Sequence, residues 1–293
     1  MNETMNDKRK YIPWIFIPCI LAFVLQIVAS IFVIEGLVTY ALGTFKGHTY
    51  ADLVNALVDV MLSDAINVIY IIYAVASIMI FTVASKKLFG ENHYTKFSEV
   101  SKQPVATIAG IVLFCIGMQY VSMYLTTALA SKFPSWLEEY EQLMETAGLD
   151  DSIGVIMGIY AVVLAPICEE LIFRGVTFSA AKKIMPYYLA IIVQALLFGA
   201  FHMNAIQGCY AFVLGLGMGY VMHLYNNLYI TIIIHMLFNL IGTFGGDYLP
   251  YGGDTLIGFF LWMLGSLVFT YISIVLLRIG ASSTKEKEIN TDI

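Results

Sequence analysis

Long runs of apolar residues separated by short polar segments dominate this chain of 293 residues. A helix needs about 20 mostly apolar residues to cross the hydrocarbon core of a bilayer. This criterion predicts eight spans, at about 11–38, 65–85, 104–130, 152–178, 187–203, 205–225, 228–245 and 256–278. The fifth and seventh are short, so we expect them to be tilted or partly enclosed by protein. The pattern therefore predicts an all-α, polytopic membrane protein with about eight transmembrane helices.

The distribution of Lys and Arg predicts the orientation of these spans. If both termini are cytoplasmic, the inner connections and tails carry 13 of the 15 basic residues, and the outer connections carry only Lys46 and Lys132. Cytoplasmic loops of membrane proteins are enriched in Lys and Arg in this way. We therefore expect a multi-pass protein of the cell membrane with both termini in the cytoplasm.

The same pattern indicates one membrane domain, residues 11–278, because no linker divides the chain into globular parts. Residues 1–10 and 279–293 are predicted to be cytoplasmic tails. Two acidic outer connections, residues 44–64 and 133–151, have apolar residues at helical spacing, which is typical of amphipathic helices at a membrane surface. They are interpreted as connectors, with a lid or substrate-docking element as the alternative.

Composition excludes several classes of protein. Hydrophobic residues make up 59% and charged residues 12% of the chain, whereas charged residues form roughly a quarter of an ordinary soluble domain. The net charge is −6, and no basic patch with interleaved aromatic residues suggests a nucleic-acid partner. The expected partners are membrane lipid and a membrane-associated peptide or protein.

Two adjacent glutamates, Glu169 and Glu170, interrupt the fourth apolar run. A charged side chain at the centre of a bilayer costs about 2.5–3.5 kcal/mol on insertion scales, and such residues usually have a function. Glu170 lies four residues before Arg174, so the two can form an ion pair that offsets the cost of burying either alone. Glu169 points about 100° away around the helix and remains available for chemistry.

Two histidines accompany this pair within or near apolar spans. Phe198 precedes His202 by four residues, and His235 precedes Asn239 by four residues, so each pair shares a helix face. The ring of Phe198 is expected to pack on and orient the imidazole of His202. Counting 1.5 Å per residue from the helix turns places Glu169 and both histidines at similar depth.

These residue types can hydrolyse an amide with an activated water molecule. Glu169 can accept a proton from the water as general base, and His202 can orient that water. His235 and Asn239 can donate hydrogen bonds to a carbonyl oxygen that becomes an oxyanion. Glu169, His202 and His235 also form a ligand set known for catalytic zinc, so metal-bound water remains an alternative. No cofactor is favoured, and zinc is the alternative cofactor.

Three sequence motifs carry a resemblance to a known family. The chain reads E-E-L-I-F-R from Glu169 to Arg174, F-G-A-F-H from Phe198 to His202, and H-M-L-F-N from His235 to Asn239. In this order, and on separate spans, these motifs resemble those of the CAAX-protease and bacteriocin-processing intramembrane endopeptidases, often called CPBP or Abi. The resemblance covers about residues 152–245.

The resemblance implies an eight-helix core with a membrane-embedded catalytic cavity. The implied roles are catalytic for Glu169, His202, His235 and Asn239, and supporting for Glu170, Arg174 and Phe198. The family has been described both as metalloproteases and as glutamate proteases, and we favour the metal-free description because no fourth ligand is evident. The style of the sequence favours a bacterial protein, whose substrates would be peptides or membrane-protein segments.

Two other functions fit the sequence. A non-proteolytic protein of the same fold could act in bacteriocin self-immunity or as a sensor accessory, although the intact motifs favour a protease. A transporter could use the same carboxylate and histidines as a proton relay. That function predicts broken helices and paired repeats, and the sequence gives no sign of either.

Overall fold

A computed structural model describes residues 8–91, 93–149, 153–245, 248–249 and 255–281. Helices account for all the regular structure in these ranges, and no β-strand forms there. The prediction of an all-α fold is therefore confirmed. Most of the two predicted tails, residues 1–7 and 282–293, lies outside the described residues, as do the acidic positions 150 and 151.

Ten helices form in the described part of the chain. They are α1 (Pro13–Thr44), α2 (Tyr50–Met61), α3 (Val68–Phe89), α4 (Pro104–Lys132), α5 (Pro134–Thr146), α6 (Val155–Ile184), α7 (Tyr187–Phe201), α8 (Ala205–Tyr225), α9 (Leu228–Phe244) and α10 (Leu256–Gly280).

Six of these helices, α1, α3, α4, α6, α8 and α10, are long and apolar enough to cross a membrane. The apolar helices α7 and α9 are shorter, with 15 and 17 residues. They coincide with the fifth and seventh predicted spans, which the sequence already indicated to be short. The chain is thus a multi-pass membrane protein.

Several boundaries differ from the predicted ones for local reasons. Helix α6 continues to Ile184, six residues beyond the expected end, and stops where Met185 becomes extended before Pro186. The residue before a proline is disfavoured in helical conformation, which explains this stop. Helix α1 likewise continues to Thr44, beyond the expected end near residue 38.

The two acidic connections form helices, α2 and α5, as their spacing predicts. A capping box starts α2, because Asp52 N–H donates to Thr49 Oγ1 and the Asp52 carboxylate accepts from Thr49 N–H. Hydrogen bonds to this carboxylate, first from the backbone of His48 and then from Thr49, lower the pKa of Asp52. Helix α5 packs against α4 and α8, so it lies over the end of the helix bundle that the charge pattern predicts to face outside.

Close helix contacts through glycine hold the bundle together. Helices α4 and α10 pack along each other, and a Cβ atom at Gly117 would lie 2.6 Å from Thr270 Oγ1 and 3.0 Å from Thr270 N. Helices α7 and α8 approach equally closely, since a Cβ atom at Gly199 would lie 2.6 Å from the carbonyl oxygen of Gly208. Small residues allow membrane helices to approach in this way.

Replacing Gly117 tests whether this contact sets the packing of α4 on α10. We expect Gly117→Ala to destabilise the fold by about 1–3 kcal/mol, since the added methyl group overpacks a closed interface. The control is Gly265→Ala in α10, where nothing lies within 4 Å of the added carbon. That change should stabilise the helix by up to about 1 kcal/mol. Equal thermal unfolding temperatures for the two variants in detergent would contradict the assignment.

Candidate active site

Helix α6 is irregular on both sides of the glutamate pair. A short α-helical piece, Ala165–Glu170, is flanked by two π-helical segments, Tyr160–Leu164 and Leu171–Phe178. Such segments are rare in proteins and frequently occur at functional sites. The two glutamates therefore lie at the end of a regular turn between two places where the helix is wider than usual.

Asn239 satisfies a backbone carbonyl that the first π segment leaves without a helical donor. The N–H of Ala165 bonds Tyr160 O, five residues earlier. The next bond in this register would join residue 166 to Ala161 O, but Pro166 has no N–H. Asn239 Nδ2 donates to Ala161 O at 2.8 Å instead. This bond uses one of the two amide hydrogens of Asn239 and holds α9 against α6.

Glu170 is the centre of a buried charge network. Its Oε1 atom accepts hydrogen bonds from Arg174 Nη1 at 2.8 Å and from His235 Nδ1 at 2.9 Å. The side chains of Glu170 and Arg174 are 0% exposed, and that of His235 is 4% exposed. The predicted ion pair with Arg174 is present. Glu170 also orients His235, a contact that the sequence analysis did not predict.

Glu169 contacts the other nitrogen of the same imidazole. Its Oε2 atom lies 3.7 Å from His235 Nε2, and its side chain is 15% exposed. Neighbouring glutamates thus meet one histidine from two sides, and only Glu169 is accessible. If both are ionised, these carboxylates outnumber Arg174 by one charge, so an imidazolium at His235 would neutralise the cluster.

His202 is held by the end of its own helix. Its Nδ1 atom lies 2.8 Å from Phe198 O, one of the last carbonyls of α7, which have no helical partner. A carbonyl oxygen only accepts, so Nδ1 carries the proton and the neutral ring keeps its lone pair on Nε2. Met203 follows with a φ of 54°, which ends the helix and starts the tight turn into α8. No direct ion pair joins Glu169 and His202 in the described part of the chain.

Phe198 packs against three polar members of the site. Its ring is edge-to-face with His202, at 4.9 Å between centroids, and with His235, at 5.8 Å. The guanidinium carbon of Arg174 lies 4.5 Å from the same ring centroid, which is within the range of a cation–π contact. The packing of Phe198 on His202 is as predicted, and the other two contacts join α7 to α6 and α9.

Zinc is the alternative cofactor, with Glu169, His202 and His235 as its predicted ligands. In the part of the chain that the structure describes, no group of three or more His, Cys, Asp or Glu side chains is arranged to hold a metal ion. Both histidines bind a neighbouring oxygen through Nδ1, and a histidine that ligates a metal usually makes such a bond with its other nitrogen. The alternative with zinc therefore stays a prediction, and the mechanism proposed here uses side chains alone.

The structure therefore brings Glu169, Glu170, Arg174 and His235 into one contact network, with Phe198 and His202 beside it. Asn239 joins the site through the backbone of α6. The sequence analysis missed the two π segments and the bond between Glu170 and His235. Pro166, inside an otherwise uninterrupted apolar run, was the one signal in the sequence that the helix carries an irregularity.

Part of the chain that carries these residues matches a known protein family. Residues 151–241 match a family described as type II CAAX prenyl endopeptidase Rce1-like. This segment is therefore similar to that family. The match confirms the resemblance drawn from the three motifs and, at the level of the family, supports a CAAX-type intramembrane protease. No curated protein and no solved structure matches the chain significantly.

The ion pair of Glu170 and the carboxylate of Glu169 should differ in their contribution to stability. Arg174→Met leaves the fully buried carboxylate of Glu170 without its guanidinium, and breaking a buried ion pair typically costs about 3–5 kcal/mol. Glu169→Gln removes a partly exposed carboxylate whose closest ion-pair contact is 3.7 Å, so we expect less than about 1 kcal/mol. Thermal unfolding in detergent measures both. Equal losses would contradict the division between a structural and an accessible glutamate.

Proposed function

We propose that this protein is an intramembrane endopeptidase that hydrolyses peptide bonds of membrane-associated peptides or proteins with a water molecule activated by Glu169. The observation that carries the proposal is the contact of one imidazole, His235, with both glutamates. A buried carboxylate orients that ring while an accessible carboxylate remains beside it. This arrangement supplies a base and an oriented donor at one point within the membrane.

The first step is attack of water on the carbonyl carbon of the substrate. Glu169 accepts a proton from the water as the new carbon–oxygen bond forms, because its carboxylate is the accessible one. His202 has its Nε2 lone pair available for a hydrogen bond from the same water. In this proposal the water molecule lies between the two side chains and is oriented by both.

Hydrogen-bond donors are needed to stabilise the negative charge that develops on the carbonyl oxygen. His235 binds Glu170 through Nδ1, so its Nε2 atom donates only when the ring is an imidazolium. The Glu170 carboxylate stabilises that form, as the carboxylate of a catalytic triad does for its histidine. The second amide hydrogen of Asn239 is the other proposed donor, since its first hydrogen bonds Ala161 O.

Collapse of the tetrahedral intermediate completes the reaction. Glu169, now a carboxylic acid, gives its proton to the nitrogen of the leaving amine as the carbon–nitrogen bond breaks. The water oxygen and its second proton remain on the carbonyl carbon as part of the new carboxylic acid, and the amine leaves with the transferred proton. The base is thereby regenerated, and no covalent intermediate with the protein is needed.

The substrate is proposed to be membrane-associated because α6, which carries both glutamates, is long and apolar enough to cross a membrane. Support for this comes also from the family, whose description names an endopeptidase of CAAX proteins. The bias of Lys and Arg supports an orientation with both termini in the cytoplasm.

Cleavage assays on the purified protein in lipid test the proposal. The protein is incubated with hydrophobic peptides, and products are identified by mass spectrometry. We expect Glu169→Gln to lower the cleavage rate by at least about 10²-fold, since general-base catalysis contributes 10²–10⁴-fold. The matched control is Glu145→Gln, which removes an exposed carboxylate of α5 away from the site and should leave the rate unchanged.

Two outcomes would contradict the proposal. Undiminished cleavage by Glu169→Gln would exclude Glu169 as the base. Absence of cleavage by the wild type with any peptide, together with a membrane phenotype that survives Glu169→Gln, would favour the immunity or accessory function.

The same assay, run with and without a chelator, tests the metal alternative. Cleavage that persists with chelator supports water activation by side chains, and loss that added zinc restores supports the metal alternative.

A further inference from the structure

The end of the second π segment of α6 departs from regular α-helical hydrogen bonding. In a regular α-helix the N–H of Ser179 would bond Gly175 O, four residues earlier. Here it bonds Val176 O instead. Gly175 directly follows Arg174, the partner of Glu170. The position of this carbonyl therefore affects the residue that pairs with Glu170.

A tyrosine from the connection between α3 and α4 donates to the carbonyl of Gly175. Tyr94 Oη donates to Gly175 O at 3.2 Å and lies 2.9 Å from Ser85 Oγ. The carbonyl can only accept, so the single phenolic proton goes to Gly175 and the proton of Ser85 goes to Tyr94. Burial raises the pKa of Tyr94, so its hydroxyl stays protonated.

The residue before Tyr94 reaches the neighbouring carbonyl through a serine. Ser179 Oγ donates to Arg174 O at 3.2 Å, and His93 Nε2 lies 3.2 Å from the same Ser179 oxygen. Since the serine proton is used, the His93 ring donates to Ser179. Consecutive carbonyls of the π segment are therefore bonded, directly or through one hydroxyl, to consecutive residues of this connection.

The same short segment, residues 93–95, is tied on its other side to the turn before α9. Asn226 Nδ2 donates to His93 O at 2.8 Å, and Thr95 N donates to Asn226 O at 2.9 Å. Asn227 Nδ2 donates to Thr95 O at 2.8 Å, while Asn227 Oδ1 caps the start of α9 by accepting from Ile230 N. We call residues 93–95 the strap, because they join α6 to the first turn of α9.

We propose that Tyr94 is a positioning residue, through which the strap sets the placement of Arg174 and Glu170 on α6 relative to His235 on α9. The proposal rests on the endopeptidase function proposed above. The strap lies outside residues 151–241, so it adds a role for the first half of the chain that the family match does not cover.

The strap acts through a short series of contacts. It fixes the backbone at Arg174 and Gly175, Arg174 fixes the Glu170 carboxylate at 2.8 Å, and Glu170 orients His235 at 2.9 Å. A misplacement of about 1 Å can cost about 10²-fold in rate even when it starts far from the reacting atoms. Loss of one hydroxyl in this series should therefore affect turnover more than substrate binding.

The test removes single hydroxyl groups and compares their effects. We expect Tyr94→Phe to lower kcat about tenfold with KM unchanged, because the substrate site keeps all its contacts. Ser179→Ala breaks the parallel link to Arg174 O and should act in the same direction. It serves as the second variant if Tyr94→Phe does not fold.

The matched control is Tyr225→Phe. Tyr225 Oη also donates to a backbone carbonyl, Leu277 O at 2.7 Å, but that carbonyl belongs to α10, which carries no member of the site. Both tyrosine variants should unfold within about 4 °C of the wild type. An equal effect of Tyr94→Phe and Tyr225→Phe on kcat would overturn the proposal, since only a general loss of packing would then remain.

A spectroscopic readout separates this proposal from the proposed function. The Nδ1–H signal of His235, assigned in ¹⁵N-histidine-labelled protein with His235→Gln, reports its bond to Glu170. We expect Tyr94→Phe to shift or broaden this signal and Tyr225→Phe to leave it unchanged. If the wild type cleaves no peptide, this difference alone decides: a signal unmoved by Tyr94→Phe overturns the positioning role, and a shifted one supports it without proteolysis.

Discussion

The arrangement depends on one physical constraint, which is that the carboxylate of Glu170 is fully buried among apolar helices. An unpaired charge in such a place costs several kcal/mol, so its oxygen must be satisfied within the protein. Arg174 satisfies it from the same helix and His235 from α9. Phe198 on α7 lies under the guanidinium and beside the imidazole. Three helices are thereby fixed around one carboxylate.

Water is absent from the hydrocarbon core of a bilayer, so distorted backbone is tolerated there only when other groups take up its free carbonyls. Helix α6 shows how this requirement links distant parts of the chain. In its first π segment Asn239 donates to Ala161 O, and in its second Tyr94 donates to Gly175 O. The irregular helix that presents the glutamates is therefore hydrogen-bonded to distant parts of the chain at both π segments.

This dependence explains which features the sequence could predict. The spans followed from run length and the bias of basic residues, and the pairing of Glu170 with Arg174 followed from their spacing of four, because both are properties of local sequence. The contact between Glu170 and His235 joins residues 65 apart, and the π segments accept hydrogen bonds from residues distant in the sequence. Neither has a local signal, apart from the missing N–H of Pro166.

The residues of the candidate site and the donors that hold the backbone beside them come from different parts of the chain. The residues of the candidate site lie within or close to the matched segment 151–241, but several donors that set the backbone beside them lie before it. On α4, Cys115 Sγ donates to Ile234 O at 3.5 Å, and Gln119 Nε2, one turn later, donates to Phe238 O. These carbonyls immediately precede His235 and Asn239. Because both donors share one face of α4, they fix the rotation of α9 as well as its distance. In the proposed mechanism the matched segment supplies the reacting groups, and these donors from the preceding half of the chain position the helix that carries His235 and Asn239.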